Sequence, residues 1–385
     1  TKKRVCILGA GVAGLAGVKH CLDDGMDPVC YEKDTDIGGL WNYHNVAKDG
    51  DPGLYNSCSI NTSKEMTCYS DFPIPKEFPN FMAHKHFKKY LDLYASNFNL
   101  RKHIKFQHMI ERIQKADNFE ENGQVDSTCQ ELEPMVYISS RRGTYVIQRA
   151  ADEGVPFDHE AITRDRATTS AFPFLDEGIV KVDGHFPYLY ELVWPTQLNP
   201  PTLAVIGLVQ PFGALPPILE MQARWASLVF SGKCTLPSAG KRESFVEKRR
   251  AFIKAKYVDS PRYSLQIYFI QYIDRIAESI GCKPHLWKLF FTNPSLWYKV
   301  YFGPCTPPQW RLGGPGSWKG AADSIMKVEE NTWYPIKTRA AGKGERDGLY
   351  DGWVKLLKKI IVFLGVFFVL RYVFSNGYVT FPIKT

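Results

Sequence analysis

Six residues near the start of the chain, Gly9-Ala10-Gly11-Val12-Ala13-Gly14, have the spacing that grips the pyrophosphate of a dinucleotide. In such a loop the first glycine makes a tight turn and the second lets the backbone approach the phosphates. The third allows a helix to pack closely on a strand. A helix opening there presents free N–H groups and its positive dipole end to the double charge. Glu32, 18 residues beyond Gly14, is placed to accept hydrogen bonds from an adenosine ribose. A carboxylate rather than a basic group suits a ribose without a 2′-phosphate, which leaves NAD and FAD. The chemistry is that of holding and orienting a redox cofactor.

These residues need a strand before the loop, a helix after it and a second strand ending at the acid. Residues 4–8 read as a buried strand, 12–24 as a helix with Val12, Leu15, Val18 and Leu22 on its apolar face, and 28–32 as a strand, together a βαβ opening. Residues 38–80 read mostly as loop and 84–99 as a helix, while 115–135 are polar and without pattern. Short strands are expected at 136–138 and 201–206, and helices at 214–230, 239–257 and 263–281. An aromatic, proline-rich region covers 284–335.

The stretch Glu32-Lys33-Asp34-Thr35-Asp36-Ile37-Gly38-Gly39-Leu40-Trp41 resembles the segment of two-dinucleotide-binding flavoproteins that lies along FAD. Ile60-Asn61-Thr62-Ser63-Lys64-Glu65-Met66 and Tyr69-Ser70-Asp71-Phe72-Pro73-Ile74-Pro75 follow. With Pro201–Leu208, Gln210-Pro211, Gln222–Ala226 and Gly303–Pro307, they make the chain similar to the flavin-containing monooxygenases of the microsomal membrane. The resemblance implies an α/β, Rossmann-like two-dinucleotide-binding flavoprotein fold, and an enzyme that oxygenates soft nitrogen or sulfur centres, or carbonyl centres, of small molecules. In that family NADPH reduces FAD, and the reduced flavin takes up O₂ as a C4a-hydroperoxide that the substrate attacks. Gly9 to Gly14, Glu32, Gly39, Leu40, Trp41, Asn61, Thr62 and Ser63 would bind the flavin. Asn61 would be the catalytic side chain beside its reactive edge. No protein nucleophile is required.

The chain also departs from the family. No second G-x-G-x-x-G follows Gly14, and the F-x-G-x-x-x-H-x-x-x-[FY] and A-T-G-Y stretches are absent. Ser139-Ser140-Arg141-Arg142-Gly143 resembles the sequence after the second strand of the NADPH domain, where Arg141 and Arg142 would meet the 2′-phosphate. The FAD domain is thus expected largely present and the NADPH domain largely absent. Residues 1–135 would be the N-terminal part of the FAD domain, 136–171 a remnant of the NADPH domain, and 172–340 the rest of the FAD domain with a helical cap. Residues 341–385 would be a C-terminal membrane anchor. Impaired turnover in an FAD-binding paralogue or incomplete isoform is the alternative.

Composition sets outer bounds. The 385 residues are 44% apolar and 23% charged, which excludes a mostly disordered chain and a polytopic membrane protein. Nine cysteines with no C-x-x-C argue against a disulfide framework and a zinc site, so no metal is expected. The N-terminal apolar run, Val5 to Leu8, is too short for a signal peptide. From Trp353 to Phe374 the chain offers 22 largely apolar residues with Lys355, Lys358 and Lys359 able to snorkel, which predicts a membrane-anchoring or interfacial helix. Together with the resemblance this places the protein on the endoplasmic reticulum membrane, its catalytic body facing the cytosol. The basic run Lys241 to Lys256 reads as a solvated helix face, and without interleaved aromatic platforms it predicts no nucleic acid binding.

Overall fold

In the computed structural model, residues 2–45, 54–113, 135–139, 175, 178–258 and 261–338 are described. The first strand, β1 (Arg4–Leu8), buries Val5, Ile7 and Leu8, and α1 (Val12–Asp23) returns the chain to β2 (Asp27–Tyr31). β1 and β2 are parallel, with Val5 opposite Pro28 and Ile7 opposite Cys30. Pro28 has no N–H to offer, and β3 (Ile104–Lys105) pairs only with Cys30 and Tyr31, so the proline sits where no bond to that neighbour is needed.

On its other edge β1 pairs with β4 (Met135–Ser139), which pairs in turn with β5 (Leu203–Ile206). The order β3-β2-β1-β4-β5 is one parallel sheet, half of a doubly wound dinucleotide fold. The sequence had the strand at 136–138 opening a remnant of a second domain. Its backbone instead lies inside the first sheet, with Val5 opposite Met135 and Leu8 opposite Ile138. The reason is the edge itself: β1 and β5 are apolar strands whose facing N–H and C=O groups need a partner, and β4 supplies both ladders. Among the described residues there is no second parallel sheet of comparable size.

The helix α1 is buried from Val12 to Cys21, on every side rather than on one face. Small residues (Ala13, Gly14, Ala16, Gly17) let it approach both the sheet and α4 (Pro216–Phe230), which starts with two prolines and packs along it. Ser227 Oγ of α4 donates to the His20 carbonyl at 2.8 Å. The short α2 (Lys64–Thr67) touches α4 as well, and α3 (His84–Asn97) adds Phe87, Tyr90, Leu91 and Tyr94 to the core.

The described residues after β5 are mostly helical. α5 (Ala239–Lys256) keeps only Arg242 and Val246 buried, so most of its face is solvated as its charges predict. Arg242 of that basic run is not solvated: it donates to the Pro195 and Leu198 carbonyls at 3.4 and 3.3 Å, while Arg249 donates to those of Ser264 and Gln266. The expected helix at 263–281 is shorter: Gln266–Tyr268 forms a strand parallel to Gln210–Phe212, and α6 runs Phe269–Ile280 before Gly281, at φ 82°, ends it. The aromatic region resolves into α7 (Leu286–Thr292), α8 (Pro294–Phe302), α9 (Ala321–Met326) and α10 (Val328–Lys337). No helix among the described residues is long and apolar enough to cross a membrane. The expected anchor at 341–385 lies outside them.

Candidate functional site

The glycine loop follows β1 and opens α1 as its spacing predicts. Gly9 has φ 87°, a left-handed conformation suited to glycine, and its N–H donates to the Tyr31 carbonyl at 2.8 Å. A Cβ on Gly14 would stand 1.8 Å from the Gly9 carbonyl oxygen, so only glycine lets α1 pack on the turn. Gly11 differs. Its backbone is extended, and an added Cβ would meet only Gly39 Cα at 3.7 Å and Gly39 N at 4.0 Å. The protein itself therefore leaves room for a Cβ at Gly11. Gly11 caps α1 without a side-chain hydrogen bond, so the first-turn N–H groups have no side-chain partner. A cradle with donors and spare room fits a pyrophosphate.

Glu32 directly follows β2 and is buried at 5% exposure. One carboxylate oxygen accepts the Ala10 N–H at 2.6 Å and the other the Asp34 N–H at 2.9 Å. The acid thus ties the loop to β2, and its remaining lone pairs are available to a ribose. Gly38 and Gly39 close the other side, with the Gly38 N–H donating to the Ala10 carbonyl at 3.0 Å. Both glycines have positive φ, at 113° and 53°, and Gly39 approaches Gly11 so closely that an added Cβ would be 3.1 Å from Gly11 Cα. Two motifs separated by 24 residues are thus one wall. Leu40 is half-buried, and Trp41 is buried edge-on against Phe87 at 4.8 Å, where its indole acts as packing.

Asn61, Thr62 and Ser63 form the turn leading into α2. The Asn61 side chain is exposed, and Thr62 Oγ1 lies 2.6 Å from Thr67 Oγ1, whose hydroxyl donates to the Ser63 carbonyl at 2.8 Å. Arg141 and Arg142 lie outside the described residues.

A buried polar network beneath the cradle escaped the sequence reading. Ser70 donates to Glu220 of α4 through its N–H at 2.6 Å and its hydroxyl at 2.7 Å. Arg311 donates to Ser70 Oγ at 2.6 Å and to the Glu220 carboxylate at 2.6 Å. Lys19 of α1 donates to Asp71 at 2.5 Å, and the Tyr69 hydroxyl donates to the Val12 carbonyl at 2.7 Å. Burial pushes Glu220 up, but Arg311, with His20 and Arg224, outweighs it and holds the carboxyl well below its ordinary range. The network fixes the 69–72 segment to both helices and so sets where the first turn of α1 points. Its one sequence signal was a glutamate inside the apolar run Ile218-Leu219-Glu220-Met221.

A parallel sheet with a glycine cradle, an acid at the end of β2 and a second glycine pair against the first defines a dinucleotide-binding flavoprotein. A family model described as flavin-binding monooxygenase-like matches residues 2–135 and 160–371, and the chain belongs to that family. It is therefore of the flavin-dependent monooxygenase type, a class of oxidoreductase whose reaction takes O₂ and a small molecule. Flavin-containing monooxygenase 5 of Cavia porcellus is 30% identical over 505 aligned positions, covering 89% of this chain and 95% of that protein. Flavin-containing monooxygenase 3 of Canis lupus familiaris is 29% identical, covering 96% and 99%. Since 89% of 385 residues is about 343, roughly 160 of the 505 positions have no counterpart here. Among solved structures, S-allyl-L-cysteine S-oxygenase from Allium sativum is 19% identical with a TM-score of 0.58, covering 88% of this chain and 99% of that one, a likeness of fold.

Proposed function

We propose that the chain binds FAD in the Gly9–Gly14 cradle and descends from enzymes that oxygenate soft nitrogen or sulfur centres at the expense of NADPH. The observation that carries this is the close Gly11–Gly39 wall, which still admits a Cβ at Gly11, beside the buried Glu32. FAD, when bound, supplies the oxygen-activating chemistry. The first turn of α1 holds its pyrophosphate and Glu32 its ribose. Asn61, exposed at the turn before α2, would offer its amide as donor and acceptor at the reactive edge. In enzymes of that kind the conversion consumes one O₂, one NADPH and one proton, and puts one oxygen atom on the substrate and the other into water.

A second reading is favoured by the roughly 160 unmatched positions in the alignment. With no second glycine loop in the sequence, the residues do not fit an NADPH pyrophosphate. The protein would then hold FAD without coupled turnover. Anaerobic addition of NADPH to the flavin-loaded protein separates the readings. Prompt bleaching of the flavin band supports the enzyme, and an unbleached band supports the FAD-binding derivative.

Association with the endoplasmic reticulum membrane, with the body on the cytosolic side, is part of the proposal. Besides the apolar C-terminal sequence, it is supported by a ridge of aromatic rings on α7 and α8. Trp287, Phe290, Phe291, Trp297, Tyr301 and Phe302 form successive ring contacts, and Trp287 and Phe291 are more than three-quarters exposed. Residues 279–322 hold Lys283, Lys288, Lys299 and Lys319, besides the buried Arg311, and no Asp or Glu, although the chain has 40 acids. Exposed aromatics with basic flanks suit an anionic lipid interface. Cosedimentation with anionic vesicles after removal of residues 353–385 tests whether this ridge binds.

A further inference from the structure

α10 contains a proline in its interior, Pro335. A helical carbonyl ordinarily accepts the N–H four residues ahead, and for Asn331 that residue is Pro335, which has none. The vacancy is filled from far away in sequence. Lys64 Nζ, at the start of α2, donates to the Asn331 carbonyl at 2.8 Å and to the Lys76 carbonyl at 2.9 Å. The Lys64 side chain is completely buried, with a Glu65 carboxylate oxygen 3.6 Å away. Burial pushes its ammonium below the ordinary lysine range, against the pull of Glu65 and Glu77. Two further contacts grip the same turn of α10. Asn80 Nδ2 donates to the Thr332 carbonyl at 2.7 Å, and Lys76 Nζ stands 4.6 Å above the Tyr334 ring.

A buried lysine is costly unless its donors are used, and here they are spent on a helix defect. The helix it belongs to is only four residues long, too short to be held by its own hydrogen bonds. What seats Lys64 therefore decides where α2 lies. The preceding turn follows α2, because Thr67 Oγ1 bonds to the Ser63 carbonyl and meets Thr62 Oγ1, while the Ile60 N–H is anchored on the Met82 carbonyl at 2.9 Å. Asn61 lies inside that turn.

We propose that Lys64 is a positioning residue for Asn61: by capping the carbonyl that Pro335 deprives of its partner, it locks α2 to α10 and so sets the 61–63 turn. This rests on the reading of Asn61 as the side chain beside the flavin. The test uses the flavin-loaded full chain and four variants: Asn61→Ala, Lys64→Met, Pro335→Ala and Lys64→Met with Pro335→Ala. Two quantities are read, the shape of the visible flavin band and the urea midpoint. Asn61→Ala should displace the band. Lys64→Met should displace it in the same sense at unchanged flavin content, and should lower the midpoint.

In the double variant the alanine that replaces Pro335 returns an N–H to the Asn331 carbonyl, so most of the lost midpoint should come back. The band should stay displaced, because α10 is satisfied while α2 remains unlocked. Pro335→Ala alone should keep the wild-type band. A Lys64→Met protein with the wild-type band, where Asn61→Ala moves it, overturns the proposal. So does a double variant whose band recovers together with its midpoint, since Lys64 would then act through stability alone. If Asn61→Ala leaves the band unmoved, the reading of Asn61 itself has failed, and that variant shows it independently of Lys64. Should Lys64→Met not fold, the double variant carries both measurements.

Discussion

Replacing Gly11 by alanine separates the demands of the protein from those of its cofactor. The added Cβ meets only Gly39 Cα at 3.7 Å and Gly39 N at 4.0 Å, which is ordinary contact, and the backbone at φ −76° accepts an L residue. Alanine is a poorer helix N-cap than glycine, but it also restricts the unfolded chain. The two effects oppose each other, and the apo-protein should change by about 0.5 kcal/mol or less. The bound state is another matter. If the methyl group keeps the pyrophosphate from two first-turn N–H groups, two charge-assisted hydrogen bonds are lost at about 1.5–3 kcal/mol each. That totals about 3–6 kcal/mol, or a roughly 10²- to 10⁴-fold weaker affinity for FAD. The assay pairs urea denaturation of the apo-protein with flavin fluorescence quenching on titration. A Gly11→Ala protein of unchanged stability that binds FAD as tightly as wild type would refute the cradle. An apo-protein that unfolds readily would refute the claim that the room at Gly11 is spare.

Gly14→Ala should behave in the opposite way, because its Cβ would lie 1.8 Å from the Gly9 carbonyl oxygen and 2.9 Å from its carbon, both backbone atoms. Apo-protein stability should fall by at least about 1–3 kcal/mol, read as a lower urea midpoint. Arg311→Met leaves Glu220 buried against Ser70 without its guanidinium, and denaturation at neutral pH should show a loss of about 3–5 kcal/mol. The acid limb follows from sign. The Glu220 carboxyl is held below its ordinary 4.5, so its contribution is complete above that pH and disappears as pH falls below it. For Asp23 burial acts upward, but His20 and Lys19 outweigh it and lower the group to about 2, so it adds to the same limb between 3.8 and about 2. Denaturation midpoints measured from pH 6 downward should therefore decline, with a shallower slope in Glu220→Gln.

The cradle was legible because its causes are local. Glycine spacing, the strand before it and the acid at the end of β2 are set by sterics and hydrogen bonds within some 30 residues, and the structure places each where the spacing put it. The same holds for α3, where periodicity predicts the helix. What depends on partners distant in sequence was settled by the tertiary structure. Which strand fills the edge of β1 is decided by an unpaired ladder, and β4 takes it although its sequence resembles another domain. The partners of Ser70 are 150 and 241 residues away, and a lone buried glutamate or arginine does not say which opposite charge it will meet. Lys64 answers a defect 267 residues away that exists only once α10 has wound past Pro335 and lost a donor. Close approach and turn geometry belong to neighbours in the chain. Satisfaction of buried charge and unpaired backbone belongs to whatever folding brings alongside.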